Sequence, residues 1–158
     1  MSSIAMMATA VIAATMFVAE ARPAFAETSA AERRKRGEDT IRTLNSGGTQ
    51  PTLEGLRREF PFLADALTDY ALGDVWSRSE LDHRTRQLAA VAAFAALGNQ
   101  PFLKIHAAYA LNLGVSEADL KEIVYLTTVP AGFPRAIAAA QTLIELFNER
   151  RGAAERKP

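Results

Sequence analysis

Apolar positions along this chain recur at the three-and-four spacing of helices, and no stretch sustains the strict alternation of a half-buried strand. Residues 29 to 45 form a polar helix, ended by the breaker "NSGGTQP" at 45 to 51. A short helix is expected at 52 to 59. Pro61 opens the next, "PFLADALTDYAL", with "GDVWSRSEL" (73 to 81) as a connector. Asp82 then caps a helix that stops at Gly98. Its body, Leu88 to Leu97, is apolar on every face, which predicts burial all round, one side of it against another subunit. A helix from about Pro101 to Gly114 follows. The next, "VSEADLKEIVYL", has Ser116 and Asp119 in a capping-box pattern, with Leu120, Ile123, Val124 and Leu126 expected inward. "VPAGFPRA" (129 to 136) interrupts, and Pro134 opens a last helix to about Glu149 with Ile137, Ala140, Leu143, Ile144 and Phe147 inward. The predicted fold is all-α, a compact bundle of about six to seven helices.

The N-terminal segment stands apart. Residues 2 to 19 carry no charge, and Ala24, Phe25 and Ala26 form a small-residue cleavage pattern. The expectation is a secretory signal peptide, residues 1 to 26, cut after Ala26, and hence a secreted or periplasmic protein. An uncleaved anchor is the other use of such a stretch. Residues 27 to 150 form the helical domain, and 151 to 158 a flexible tail. No other segment is expected to cross a membrane.

Composition narrows the chemistry. The chain has 158 residues, with 18 basic and 18 acidic side chains, so no basic footprint for nucleic acid exists. The one dense cluster, "ERRKR" at 32 to 36, reads as a solvated helix face. There is no cysteine, which excludes thiol catalysis, disulfides and thiolate metal sites. With two histidines, a His-rich metal site is not expected, and neither a metal nor an organic cofactor is implied. No glycine-rich nucleotide loop and no G-x-S-x-G elbow occurs.

The candidate residues start with His106, in "NQPFLKIHAAYALNLG". Helical spacing puts Phe102, Tyr109 and Leu113 near its face. Two readings stand side by side: a core or interface histidine satisfied by one hydrogen bond, and a general acid, base or orienting group in an apolar cavity. His83, beside Arg84 and Arg86, reads as a surface residue. Arg84 and Arg86 at a helix start, and Arg135 in "AGFPRA", are each able to clamp a carboxylate or to pair with an acidic neighbour. Glu122 reads as an ordinary surface residue, and Trp76, the one tryptophan, as a core anchor.

Three pieces, "GDVWSR…LDHRTRQL", "HAAYALNLGVSEADLKEIV" and "AGFPRA", resemble in this order the carboxymuconolactone decarboxylase family. The resemblance runs from about Arg33 to Phe147. It implies an alkylhydroperoxidase-like helical fold whose subunits associate as homo-oligomers, trimers or hexamers. It also implies one of two activities. One branch decarboxylates 4-carboxymuconolactone to an enol-lactone. The other is a thiol peroxidase with a C-x-x-C pair and a histidine four residues beyond it. That histidine matches His106, but the cysteine positions fall at Asn99 and Phe102, and the upstream Glu near Gln87. The decarboxylase branch is therefore the implied one: a cofactor-free lyase on a small carboxylic acid or lactone. On that reading His106 is catalytic, Arg84 or Arg135 holds the retained carboxylate, and Trp76, Phe102 and Tyr109 form a dry wall. A non-catalytic exported oligomer that binds a ligand in the same pocket is the alternative.

Overall fold

The computed structural model describes residues 28 to 156, so the signal-peptide expectation lies outside the described residues. The order is α1 (Ala30–Leu44), α2 (Pro51–Glu59), α3 (Pro61–Ala66), a π-helical segment (Leu67–Trp76), α4 (His83–Leu97), α5 (Gln100–Asn112) and α6 (Glu117–Glu155). Among the described residues there is no strand, and the all-α expectation holds.

The helix ends follow from local chemistry. Ser29 and Glu32 make a reciprocal capping box at α1, as Ser116 and Asp119 do at α6. The Asp82 side chain accepts from the Thr85 N–H at α4, and Asn99 accepts from the Phe102 N–H at α5. Gly98 ends α4 in the left-handed region, φ 72°, where its missing Cβ matters. Pro51, Pro61 and Pro101 occupy first-turn positions, where their lack of an N–H costs nothing.

Two apolar cores meet along α5. Val91 and Ala95 of α4, Leu103, Ala107 and Ala110 of α5, and Leu120, Val124, Leu143 and Phe147 of α6 form one. Ile41, Leu44, Leu53, Ala64, Leu72 and Tyr109 form the other, under α1, α2 and the π segment. Burial of each large side chain contributes roughly 1.5–3 kcal/mol.

α1 lies against the π segment at very short range. A Cβ on Gly37 would sit 2.0 Å from the Thr68 carbonyl oxygen, and one on Gly73 would sit 2.3 Å from that of Arg33. The arginines of "ERRKR" are not a free solvated face. Arg34 pairs with Asp69 and, at 3.0 Å, with Asp65, while Arg36 reaches Asp74 at 2.8 Å. Aspartates one helix away satisfy them, which spacing within α1 does not show. These pairs are half-exposed, so each is worth about 0.2–1 kcal/mol and mainly fixes register.

Several expectations are corrected. The connector expected at 73 to 81 begins later, because the π segment carries the helix through Trp76. Within the single chain, Val91 and Ala95 of α4 are buried and Leu97 is exposed, so any cover for that side comes from outside the described residues. On α6, Leu126, Ile137 and Ile144 face outward, and the buried stripe runs through Val124, Ala136, Ala139, Leu143 and Leu146. "VPAGFPRA" narrows to a single kink at Gly132 (φ 78°, ψ 167°), a conformation open to glycine alone, and helix continues to Glu155 through residues read as tail. By length and composition α6 passes as a membrane span, against expectation. Its helix is broken at Gly132, one stripe packs against α4 and α5, and 22% of that apolar window is buried.

Candidate active site

Within the core under α1, α2 and the π segment lies a cavity of about 100 Å³, open on one side. Its wall is Ile41 and Leu44 of α1, Leu53 of α2, Leu67, Leu72 and Trp76 of the π segment, and Phe102 and Ile105 of α5. Its polar lining is Gln50, Thr52, His106 and Tyr109. No Arg, Lys, Asp or Glu is among these lining residues.

His106 is held on every side. Its ring stacks on Trp76 with centroids 5.3 Å apart, packs on Phe94 at 5.0 Å, and meets the edge of Tyr109 at 5.8 Å. Its Nδ1 is 2.8 Å from Oε1 of Gln87, a fully buried residue of α4. The pair is compatible with either sense, Nδ1–H donating to the amide oxygen or, with the amide turned over, the amide N–H donating to Nδ1. Burial pushes the imidazole down to about 4 from an ordinary 6.5, because the ring gives up water on becoming charged. His106 is therefore neutral at pH 7.

Tyr109 is buried too, and burial raises its phenol well above the ordinary value, so it remains an O–H donor. The Gln50 Oε1 accepts from the Leu53 N–H at 3.0 Å, which leaves the amide's two N–H groups for the cavity. A mostly apolar pocket thus offers neutral donors and a neutral imidazole.

Trp76, Phe102, His106 and Tyr109 are brought together as expected. Arg84 and Arg135 do not line the cavity. Arg84 lies on the surface of α4, paired with Asp119 at 2.7 Å. Arg135, on the exposed face of α6, packs on Gly98, where a Cβ would stand 1.6 Å from its Nη1. Arg86, the other arginine of that helix start, comes nearer: its guanidinium lies 6.0 Å from the Trp76 ring. Its N–H groups donate to the carbonyls of Val75, Arg78 and Leu81, so it ties the connector to α4. Gln87, Gln50 and Thr52 were missed as site residues. Gln87 stands one turn into an otherwise apolar helix, and that mismatch was the available signal.

An all-helical fold with a mostly apolar pocket, free of charged side chains in its lining and with one histidine in its wall, defines a class of small-molecule site. The chain belongs to the carboxymuconolactone decarboxylase family, which it matches over residues 61 to 145. It is 31% identical over 119 residues to a 4-carboxymuconolactone decarboxylase of Acinetobacter baylyi, covering 75% of this chain and 89% of that protein. It is 29% identical over 107 residues to a nitrosuccinic acid decarboxylase of Metarhizium robertsii, covering 65% of this chain and 73% of that one. An uncharacterized protein of Methanocaldococcus jannaschii is 22% identical over 98 residues, covering 62% of this chain and 91% of that one.

Proposed function

We propose that this protein is a cofactor-free carboxy-lyase that removes CO2 from a small carboxylic acid, of the lactone type or a close analogue. The carrying observation is the neutral His106 at the wall of an otherwise dry pocket. Relatives whose names specify decarboxylation of two different acids support the reaction class and leave the acid open.

The reaction needs one proton to move twice. A carboxyl group entering a dry pocket does so most cheaply in its neutral form. It passes its proton to His106 Nε2. Burial favours the neutral form of both groups, so the proton moves as carboxylate and imidazolium form in contact, where their mutual attraction offsets the lost hydration. The C–C bond to the carboxylate then breaks. CO2 leaves, and its electron pair spreads into the carbonyl of the substrate. Tyr109, Gln50 and Thr52, the other polar residues of the lining, supply donors for the oxygen that becomes negative. His106, now protonated, returns the same proton to carbon. The wall of Trp76, Phe102, Leu53 and Leu72 keeps water away from the charged intermediate.

A peroxidase reading has no support, because the chain has no cysteine. Export, with cleavage after Ala26, belongs to the proposal and rests on the uncharged stretch at 2 to 19. So does a homo-oligomer. Val129 and Phe133 of α6 are 82% and 71% exposed, and Leu97 and Tyr125 are exposed as well. Light scattering of the purified protein should give a multiple of the chain mass, and a monomer at micromolar concentration would remove that part.

The test of the activity is CO2 release from 4-carboxymuconolactone and nitrosuccinate, each with the purified protein and no added metal. Turnover of either acid supports the lyase. A ligand-induced rise in melting temperature without CO2 release would make the protein a binder instead.

A further inference from the structure

With no charged side chain in its lining, the cavity is faced instead by the start of α2. Gln50, Thr52 and Leu53, the N-cap and first turn of that helix, all belong to the wall. The first N–H groups of a helix find no partner inside it, and with the aligned peptide dipoles they carry roughly half a positive charge. Here the Leu53 N–H donates to Gln50 Oε1 and the Glu54 N–H to the Gln50 carbonyl, each at 3.0 Å. The Thr52 N–H makes no hydrogen bond to the described residues. Gln50 is also an uncommon cap, since serine, threonine, aspartate and asparagine do that work better. Its bond to the Leu53 N–H fixes which end of the amide is which. An N–H needs an acceptor, so the oxygen faces the helix and the hydrogens of Nε2 are free.

A second group meets the same space from α5. Tyr109 is 5% exposed and lines the cavity, and its hydroxyl makes no hydrogen bond to the described residues. Among those residues, the side-chain atoms both sealed in the core and unpaired belong to His83, Arg86 and Gln87. The Tyr109 hydroxyl is therefore not sealed, and the cavity is what it opens on. Phenylalanine would fill that place without leaving a buried hydroxyl unpaired. We propose that the first turn of α2 and Tyr109 form a subsite for one anionic oxygen, that of the enolate of a small lactone or related carbonyl compound. The Thr52 N–H and hydroxyl, Gln50 Nε2 and the Tyr109 hydroxyl hold it with no cationic side chain. An enolate spreads its charge into the ring, so it enters a mostly apolar cavity at less cost than a carboxylate does. The subsite deepens the lyase reading and rests on it for a part in turnover, because charge collects on that oxygen as CO2 leaves.

Binding can be measured without turnover. The probe is tetronate, a five-membered lactone that is an enolate anion at pH 7, set against butenolide, the neutral lactone of the same ring. Each is titrated into the full-chain protein by calorimetry. Wild type should bind tetronate at least about tenfold more tightly than butenolide, as expected for hydrogen bonds to a charged oxygen. Tyr109→Phe removes the hydroxyl alone. Gln50→Ser keeps a capping oxygen for the Leu53 N–H and withdraws Nε2. Each should weaken tetronate by about tenfold and change butenolide binding far less, while urea unfolding stays close to wild type. Tetronate held no more tightly than butenolide, or held equally by wild type and either variant, overturns the proposal even if CO2 release is found. Preferential tetronate binding that both variants weaken, in a protein that releases no CO2, leaves the subsite standing and removes the lyase reading.

Discussion

Replacing His106 by Phe keeps an aromatic ring between Trp76 and Phe94 and removes the one buried histidine in the cavity wall. The consequence is a change in how stability depends on pH. In the folded protein His106 titrates at about 4, and in the unfolded chain near its ordinary 6.5. Its folded value is depressed, so the unfolded state binds the extra proton. The stability it permits is fully present above pH 6.5 and is lost as pH falls toward 4. At 1.36 kcal/mol per pH unit the whole effect is about 3 kcal/mol, of which about 2 kcal/mol falls between pH 7 and pH 5. Asp39, Asp69, Asp82 and Asp119 also titrate low, but these groups act mostly below pH 5 and are common to both proteins. The assay is urea unfolding of wild type and His106→Phe at both pH values and one fixed protein concentration, since any association shifts the midpoint. Wild type should lose about 2 kcal/mol more than the variant on going to pH 5. The variant is expected to be less stable overall, because the Gln87 amide loses its partner, but that cost is the same at both pH values. Equal losses in the two proteins would mean that the ring is not held neutral by burial.

Other substitutions probe the frame around the site. Gly37→Ala should cost about 1–3 kcal/mol in urea unfolding, since the added methyl meets the Thr68 carbonyl across the α1 contact. Gly132→Ala should cost about 1–3 kcal/mol by forcing a side chain into the conformation at the α6 kink, again read by unfolding. Arg84→Ala, which breaks a half-exposed pair with Asp119, should change stability by no more than about 1 kcal/mol and leave turnover unchanged. Trp76→Ala should lower kcat/KM by about tenfold or more by admitting water beside His106, as followed by CO2 release.

What was legible in the sequence was local. Asp82, Gly98, Pro101 and the Ser116–Asp119 pair each act within one turn of their own helix, so their roles were readable from spacing. The company of His106 was half readable: Phe102 and Tyr109 share its helix, while Phe94 and Gln87 reach it from α4. Trp76 was named for the wall, but its route there was not foreseen, because a π segment leaves no periodic signature that distinguishes it from a loop with Gly73 at its head. Arg84 and Arg135 were placed at the site because arginine at a helix start suits a carboxylate. Their actual positions depend on Asp119 and Gly98, contacts between elements that spacing does not carry. On α6, Leu120, Val124, Leu143 and Phe147 are buried as expected, while Leu126, Ile137 and Ile144 are exposed, because a helix apolar on most sides does not declare which stripe is covered.

The central claim is that His106 performs proton transfer in a decarboxylation. Its most direct test is the steady-state loss of 4-carboxymuconolactone, followed by absorbance, with wild type and His106→Ala at pH 7. The account predicts turnover by the wild type and a fall of about 10²-fold or more in kcat for the variant, with its fold verified by circular dichroism. Undiminished turnover in His106→Ala would contradict it.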